Sequence, residues 1–310
     1  MLGRPDVATT PAQPTQRDRF RDSVLRGIYR VGWRLAARLP TRLVAVIISV
    51  ISRIALRQNG VHVRTLRHNL TQTTGKQVGN DLMRAALGSY FRTFYEVLAL
   101  PAWSAEQIRS RVTAVNESAV RTAHAGPGAV VVLPHSGNWD LAGAWACVTG
   151  MPVTTVAEQL PDREFREFVA FREGLGLEVL SHRDPAVLTA LVAAIQRRRV
   201  VCLLADRDLS GSGVAVSWRG LPITMPAGPA ILARRTGAIL LPAVCQFTER
   251  GMVIDIGNEV LVRPGRAGLV AMMQEVADFF AETIARRPED WHMMQPFFSD
   301  HENRTQEVGW

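Results

Sequence analysis

Beyond Gly128 the chain alternates between two patterns. Short, valine-rich apolar runs recur at 129–133, 153–157, 200–205, 238–247 and 252–256, and helical patterns fall between them. Strand following helix in this way restricts a chain to an α/β sheet covered by helices, because each strand must bury its apolar faces against something. The helical segments carry their own start and stop signals. Asp184 and Pro185 open one, with Leu188, Leu191, Val192 and Ile195 as its apolar stripe. Residues 226–235 read as a second, closed by Gly237, and 269–286 as a long third with Met273, Val276, Phe280 and Ile284 turned inward. The expected architecture is α/β: a central, mostly parallel sheet with helices on both faces.

The first hundred residues differ. Over 18–39, Val24, Ile28, Val31, Leu35 and Leu39 share one helical face, Arg26, Arg30, Arg34 and Arg38 recur beside it, and Pro40 ends it. A basic amphipathic helix of this kind suits a lipid interface, and equally a surface helix with a solvated arginine face. Residues 43–56 look like a second helix, apolar nearly all round. Residues 80–100 look like a third, whose line of Met83, Leu87, Tyr90, Phe94 and Leu98 is assigned to the core. Residues 101–128 read as a connector with some helix. Residues 1–17, polar and proline-rich, are expected to be disordered. That leaves 18–310 as a single domain, with a helical N-terminal part over 18–100 and an α/β core over 129–298.

A net charge of +8 calls for an anionic partner, and it comes from arginine, since Lys76 is the sole lysine. No nucleic-acid motif accompanies that charge, so nucleic acid is not the expected partner. The longest apolar run, 43–52, stops at Arg53, well short of the ~20 residues that span a bilayer. Cys147, Cys202 and Cys245 lie apart within apolar runs and have no metal-ligand spacing, so buried, reduced thiols are expected.

Polar residues stand where the strands end. His135 follows the first strand, Glu158 the second and Asp206 the third. In open α/β sheets, ligands bind beyond the carboxyl ends of the strands, so parallel strands would bring these three to one rim. Within Pro134-His135-Ser136-Gly137-Asn138-Trp139-Asp140 a histidine precedes a helix start, and an aspartate follows it by five residues. Imidazole accepts protons near neutral pH, a carboxylate can orient it, and helix-start amides after Gly137 can hold an oxyanion. Asp140 as a plain helix cap is the alternative. Three chemistries fit. One is acyl transfer with His135 as base; no G-x-S-x-G elbow supports a covalent serine. The second is a metal-dependent phosphohydrolase using His135, Asp140, Asp206 and Asp208. The third is a non-catalytic lipid-binding protein. Arg163, Arg166 and Arg172 could meet donor phosphates, Arg172 foremost.

LPHSGNWDLAG, VAEQLPDREFREFVAFREGLG, VVCLLADRDLSGSGV, TMPAGPA and PEDWHMMQPFF, in this order and spacing, resemble the bacterial acyltransferase family that includes lipid A lauroyltransferases. Within it they look most like the actinobacterial phosphatidylinositol mannoside acyltransferases. The resemblance runs from about residue 26 to residue 298. It implies an acyl-CoA donor, typically palmitoyl-CoA, used as a substrate with no bound cofactor and no metal. It implies a mannose hydroxyl of a phosphatidylinositol mannoside as acceptor, with another membrane glycolipid or a lysophospholipid as the alternative. The implied setting is an anionic membrane surface, at the cytoplasmic face of the plasma membrane, for a peripheral monomer. An apolar groove for the acyl chain belongs to the implied fold. The His-any four-Asp motif falls on His135 and Asp140, and the acidic partner of the histidine on Asp206, where glutamate is usual. Substrate-binding positions fall on Glu158, Arg172 and, for the donor, Ser212.

Overall fold

The computed structural model describes residues 38–158, 169–208 and 211–298. Residues 1–17, nearly all of the helix expected over 18–39, and Arg163 and Arg166 lie outside them. Helices α1 (Thr41–Gln58), α2 (Val61–Thr74) and α3 (Asn80–Ala99) come first. Next are α4 (Ala105–Arg111), β1 (Val112–Val115), α5 (Glu117–Ala125), β2 (Ala129–Leu133), α6 (Trp139–Val148) and β3 (Val153–Ala157). A helical segment at 169–174 leads to β4 (Glu178–Ser181), α7 (Val187–Gln196) and β5 (Val200–Leu204). The chain continues through β6 (Val214–Trp218), β7 (Leu221–Met225), α8 (Gly228–Thr236), β8 (Ile239–Phe247), β9 (Met252–Ile256) and α9 (Gly265–Arg286).

Seven strands form one sheet in the order β1-β9-β8-β2-β5-β3-β4. The five from β8 to β4 are parallel, as the crossovers through α6, the 169–174 segment and α7 require. β9 turns back antiparallel to β8, and β1 runs parallel to β9. β2 shows why the sheet is covered twice. Val130 and Val132 enter a core shared with α2, α3, α7, α8 and α9, while Ala129, Val131 and Leu133 enter a second core with α4, α5 and α6. All five residues are buried, which is why this strand reads as an unbroken apolar run rather than an alternating one.

Several local readings change. The 184–196 helix starts at Val187, and Asp184 instead accepts the Ala186 amide at 2.8 Å through Oδ1. The line of residues assigned to the core on α3 holds only in part: Met83 and Leu87 are buried, but Phe94 is 54% exposed. The buried face of α3 further along is polar, with Ser89, Thr93 and Glu96, because it packs on a hydrogen-bonded loop and not on other apolar chains. The 101–128 connector contains α4, β1 and α5. β6 and β7 pair as a hairpin through Arg219 and Gly220, both at positive φ (51° and 87°). Gln274 of α9 holds this hairpin by bonding both the amide and the carbonyl of Ser217, at 2.7 and 2.8 Å.

Phe280 is fully buried where α9 meets the sheet. Phe280→Ala is expected to cost about 3–5 kcal/mol through cavity formation, read as a lowered denaturant midpoint with an unchanged slope.

Candidate functional site

The register of β2 and β5 builds the centre. Leu133 pairs with Leu204, so His135 and Asp206, each two residues further on, end side by side. The Ala205 amide bonds Leu133 O at 2.9 Å and carries this register past the strand ends. Asp206 Oδ1 lies 2.6 Å from His135 Nδ1, and Oδ2 accepts the His135 amide at 2.9 Å. Oδ2 also accepts the Trp291 indole N–H at 3.0 Å. Asp206 is fully buried, whereas the His135 side chain is 30% exposed. Burial alone would raise the carboxyl of Asp206. The His135 ring and these hydrogen bonds outweigh it and hold the group below its ordinary range. An ionised Asp206 requires the hydrogen of the neutral ring to sit on Nδ1, which leaves the Nε2 lone pair as a base.

The loop after β2 is held from two sides. Residues 290–292 clamp it from one: Gly137 N–H donates to Asp290 O at 2.9 Å, and His292 N–H donates to His135 O at 2.8 Å. α3 clamps it from the other. Thr93 Oγ1 donates to Gly137 O at 2.9 Å, and Asn138 Nδ2 donates to Glu96 Oε2 at 3.1 Å. Gly137 sits at φ 55°, and a Cβ there would stand 2.7 Å from Cys245 O on the neighbouring strand β8, so only glycine fits. Trp139 meets the His135 ring edge-on at 5.4 Å between centroids.

Asp140 takes a different place from the one expected. Asn138, through Oδ1, caps α6 by accepting the Leu141 amide at 3.0 Å. The carboxylate of Asp140 is bound by Arg172, Nε to Oδ1 at 2.6 Å and a terminal nitrogen to Oδ2 at 3.2 Å, with both side chains buried. The carboxylate on the imidazole is therefore that of Asp206, and Arg172 reaches Asp140 from the end of the 169–174 helix. The amides expected to hold an oxyanion are also partly spent: Gly137 N–H goes to Asp290 O, and Asn138 N–H meets Met252 Sδ at 3.4 Å.

Glu158 stands exposed at the end of β3, 3.5 Å from Arg207, so the ends of β2, β5 and β3 do share one rim. Ser212 is exposed on the loop between β5 and β6. On that loop, Asp208 Oδ2 accepts the Gly213 amide at 2.8 Å. A metal reading needs His135, Asp140, Asp206 and Asp208 around one ion, but Asp140 and Asp208 are committed to other partners. Among the described residues no group of three or more His, Cys, Asp or Glu is placed to hold a metal.

Beside this centre lies an apolar cavity between the sheet and α6, with an empty volume of about 730 Å³, part of it open to solvent. Leu133, Trp139 and Asp140 form its wall nearest His135, and it extends past Val131, Ala146 and Ile254. Cys202 also lines it, with its thiol pushed up to about 12 by burial, which excludes it as a nucleophile at neutral pH.

Trp291, Asp290 and His292 had no role in the sequence reading, although the PEDWH string contains all three. Ser89 Oγ donates to Asp290 Oδ1 at 2.6 Å and lies 3.1 Å from His292 Nε2, which therefore carries the ring hydrogen. Burial, helped by His135, lowers His292 to about 3.

Two predictions follow from these contacts. Asp140→Ala removes the carboxylate that takes two hydrogen bonds from the buried Arg172 guanidinium, at a cost of about 3–5 kcal/mol; the double variant D140N/R172Q should recover part of that in urea unfolding. His292 remains neutral in the folded chain down to about 3 but titrates at 6.5 when unfolded. Its contribution to stability is complete above 6.5 and is lost as pH falls towards 3. Wild-type stability should therefore drop between pH 7 and pH 5 in urea titrations, and His292→Gln should flatten that slope.

Residues 19–299 match the family described as bacterial lipid A biosynthesis acyltransferase. A protein of Mycolicibacterium smegmatis named phosphatidylinositol mannoside acyltransferase is 40% identical over 277 residues, 86% of this chain and 89% of that protein. One of the same name from Mycobacterium tuberculosis (strain CDC 1551 / Oshkosh) is 39% identical over 289 residues, 89% of this chain and 90% of its own length. Coverage on that scale leaves one conclusion: the chain is an acyltransferase and belongs to the bacterial lipid A biosynthesis acyltransferase family.

Proposed function

We propose that this chain moves a fatty acyl group, palmitoyl by preference, from acyl-CoA to a mannose hydroxyl of a phosphatidylinositol mannoside, with His135 as the general base. The observation that carries this reading is the partly exposed His135 ring, bonded through Nδ1 to Asp206 and set beside an apolar cavity. The acceptor class rests on what the two mycobacterial relatives are named for.

His135 Nε2 takes the proton of the acceptor hydroxyl as its oxygen attacks the thioester carbonyl carbon. The new C–O bond forms, and charge gathers on the carbonyl oxygen. As that charge collapses, the C–S bond breaks and the departing sulfur takes the proton back from Nε2, giving an ester and free CoA. Asp206 stabilises the imidazolium between the two proton transfers. The atoms balance without a metal or a redox cofactor. The wall of the cavity is almost wholly apolar, which suits an acyl chain. The net charge of +8 suits both the phosphates of CoA and an anionic lipid surface. Because the donor is cytoplasmic, we assign the protein to the cytoplasmic face of the plasma membrane as a peripheral monomer. Glu158, Arg172 and Ser212 are the proposed substrate-binding positions, Arg172 through its hold on Asp140 at the cavity wall.

His135→Ala should lower kcat by about 10²–10⁴-fold while the protein stays folded, read as a single cooperative unfolding transition. The assay is CoA thiol release from palmitoyl-CoA with a phosphatidylinositol mannoside, other membrane glycolipids and lysophospholipids offered in turn. Undiminished turnover in His135→Ala would remove the base, and transfer to lysophospholipid alone would replace the acceptor.

A further inference from the structure

α1 is amphipathic in an inverted sense. Val44, Ile48 and Ser52, four residues apart, form the narrow seam it lays on α3, with Ile48 and Ser52 approaching Gly88 to within 4.0 Å of where a Cβ would stand. The wide outer face is apolar. Leu43, Val46, Ile47, Val50, Ile51 and Ile54 repeat at three- and four-residue spacing and are each between 40% and 59% exposed. They make a stripe about 17 Å long at 1.5 Å per residue. Arg42, Arg53 and Arg57 are exposed; at 3.6 residues per turn Arg42 and Arg53 fall along one border of the stripe, and Arg57 stands at its C-terminal end. The helix contains no Asp or Glu.

We infer that this face of α1 is the surface by which the protein lies on an anionic lipid bilayer. The charge pattern selects this occupant. A second copy would bring basic borders together with no acidic residue on α1 to pair them. Lipid headgroups supply the missing negative charge, while the stripe enters the acyl boundary and the arginines reach back to phosphate level. Among the described residues no single helix is long and apolar enough to cross a membrane. α1 and α2 reach that length only together, across a 93° bend. The helix therefore lies in the interface. Another face of α3 carries Ser89, Thr93 and Glu96, of which Thr93 and Glu96 bond the loop bearing His135. One helix thus joins the lipid-facing element to the base, and docking fixes the height of His135 above the headgroups. Only this last step rests on the function proposed above.

The test is co-sedimentation of the full chain with phosphatidylcholine vesicles, with and without phosphatidylglycerol. The wild type should prefer the anionic vesicles, and salt should weaken that preference. Val50→Asp with Ile54→Asp should reduce binding at least tenfold without changing the unfolding midpoint, since both positions are exposed. Arg53→Gln with Arg57→Gln should erase the preference for anionic lipid. The same V50D/I54D protein should lose transfer to acceptor in vesicles and keep transfer to acceptor in detergent micelles. Undiminished vesicle binding by V50D/I54D overturns the inference. So does binding lost in Val24→Asp with Ile28→Asp but kept in V50D/I54D, which would move docking to the N-terminal segment. A concentration-dependent dimer abolished by V50D/I54D, with vesicle binding intact, overturns it in favour of a second copy. Vesicle binding as expected with no acyl transfer to any acceptor leaves docking standing and sinks the proposed reaction instead.

Discussion

Everything at this site depends on a 2.6 Å contact between an imidazole and a carboxylate that has no exposure to water. A buried charge is costly, so it persists only where the protein supplies its bonds. Asp206 has the ring and amide of His135 and the indole of Trp291, and those contacts are strong enough to keep it ionised against burial. Two remote parts of the fold deliver them. The parallel register of β2 and β5 sets the lateral position, and the C-terminal segment that carries Trp291 closes the far side. That segment is itself tied down by α2, where Asn69 Nδ2 donates to Met293 O and to Gln295 O, each at 2.8 Å.

Much of this frame is legible in the sequence, for identifiable reasons. β2, β3 and β9 have the expected bounds because valine-rich runs between turn residues leave little choice. The long stripe of α9 needs no partner to be recognised. His135, Glu158 and Asp206 reach one rim because strand ends in a parallel sheet must. What stayed hidden depends on partners distant in sequence. α2 is a helix whose inward face includes Asn69 and Thr73, so its apolar period is broken where it meets backbone carbonyls. The β6–β7 hairpin turns on Arg219 and Gly220, not on an Asn-Gly pair, and α9 supports it from outside. Phe94 looked like core because spacing along a helix does not say which face is covered.

Asp140 shows the same limit within the site. Five residues after a histidine at a helix start, it is the natural choice for the ring's partner. A neighbour in sequence is not necessarily a neighbour in space. α6 points the carboxylate into the cavity wall, where Arg172 arrives from a separate helix, and the ring turns to β5 instead. The motif thus specifies two different objects: the imidazole proposed as the base, and a buried ion pair that shapes the chamber beside it.

The aspartate at 206, where the resemblance leads one to expect glutamate, need not loosen the contact. A side chain shorter by one methylene must start closer, and here it does: Asp206 leaves β5 at the same offset as His135 leaves β2, on paired neighbouring strands. Both oxygens are then used, Oδ1 on the ring and Oδ2 shared between the His135 amide and the Trp291 indole. The amide bond ties the carboxylate to the backbone of the residue whose ring it orients, so a shift of one carries the other along. A longer glutamate would have to fold back to keep that amide, or reach past it to the ring. The aspartate fits because backbone register supplies the proximity that side-chain length would otherwise have to provide.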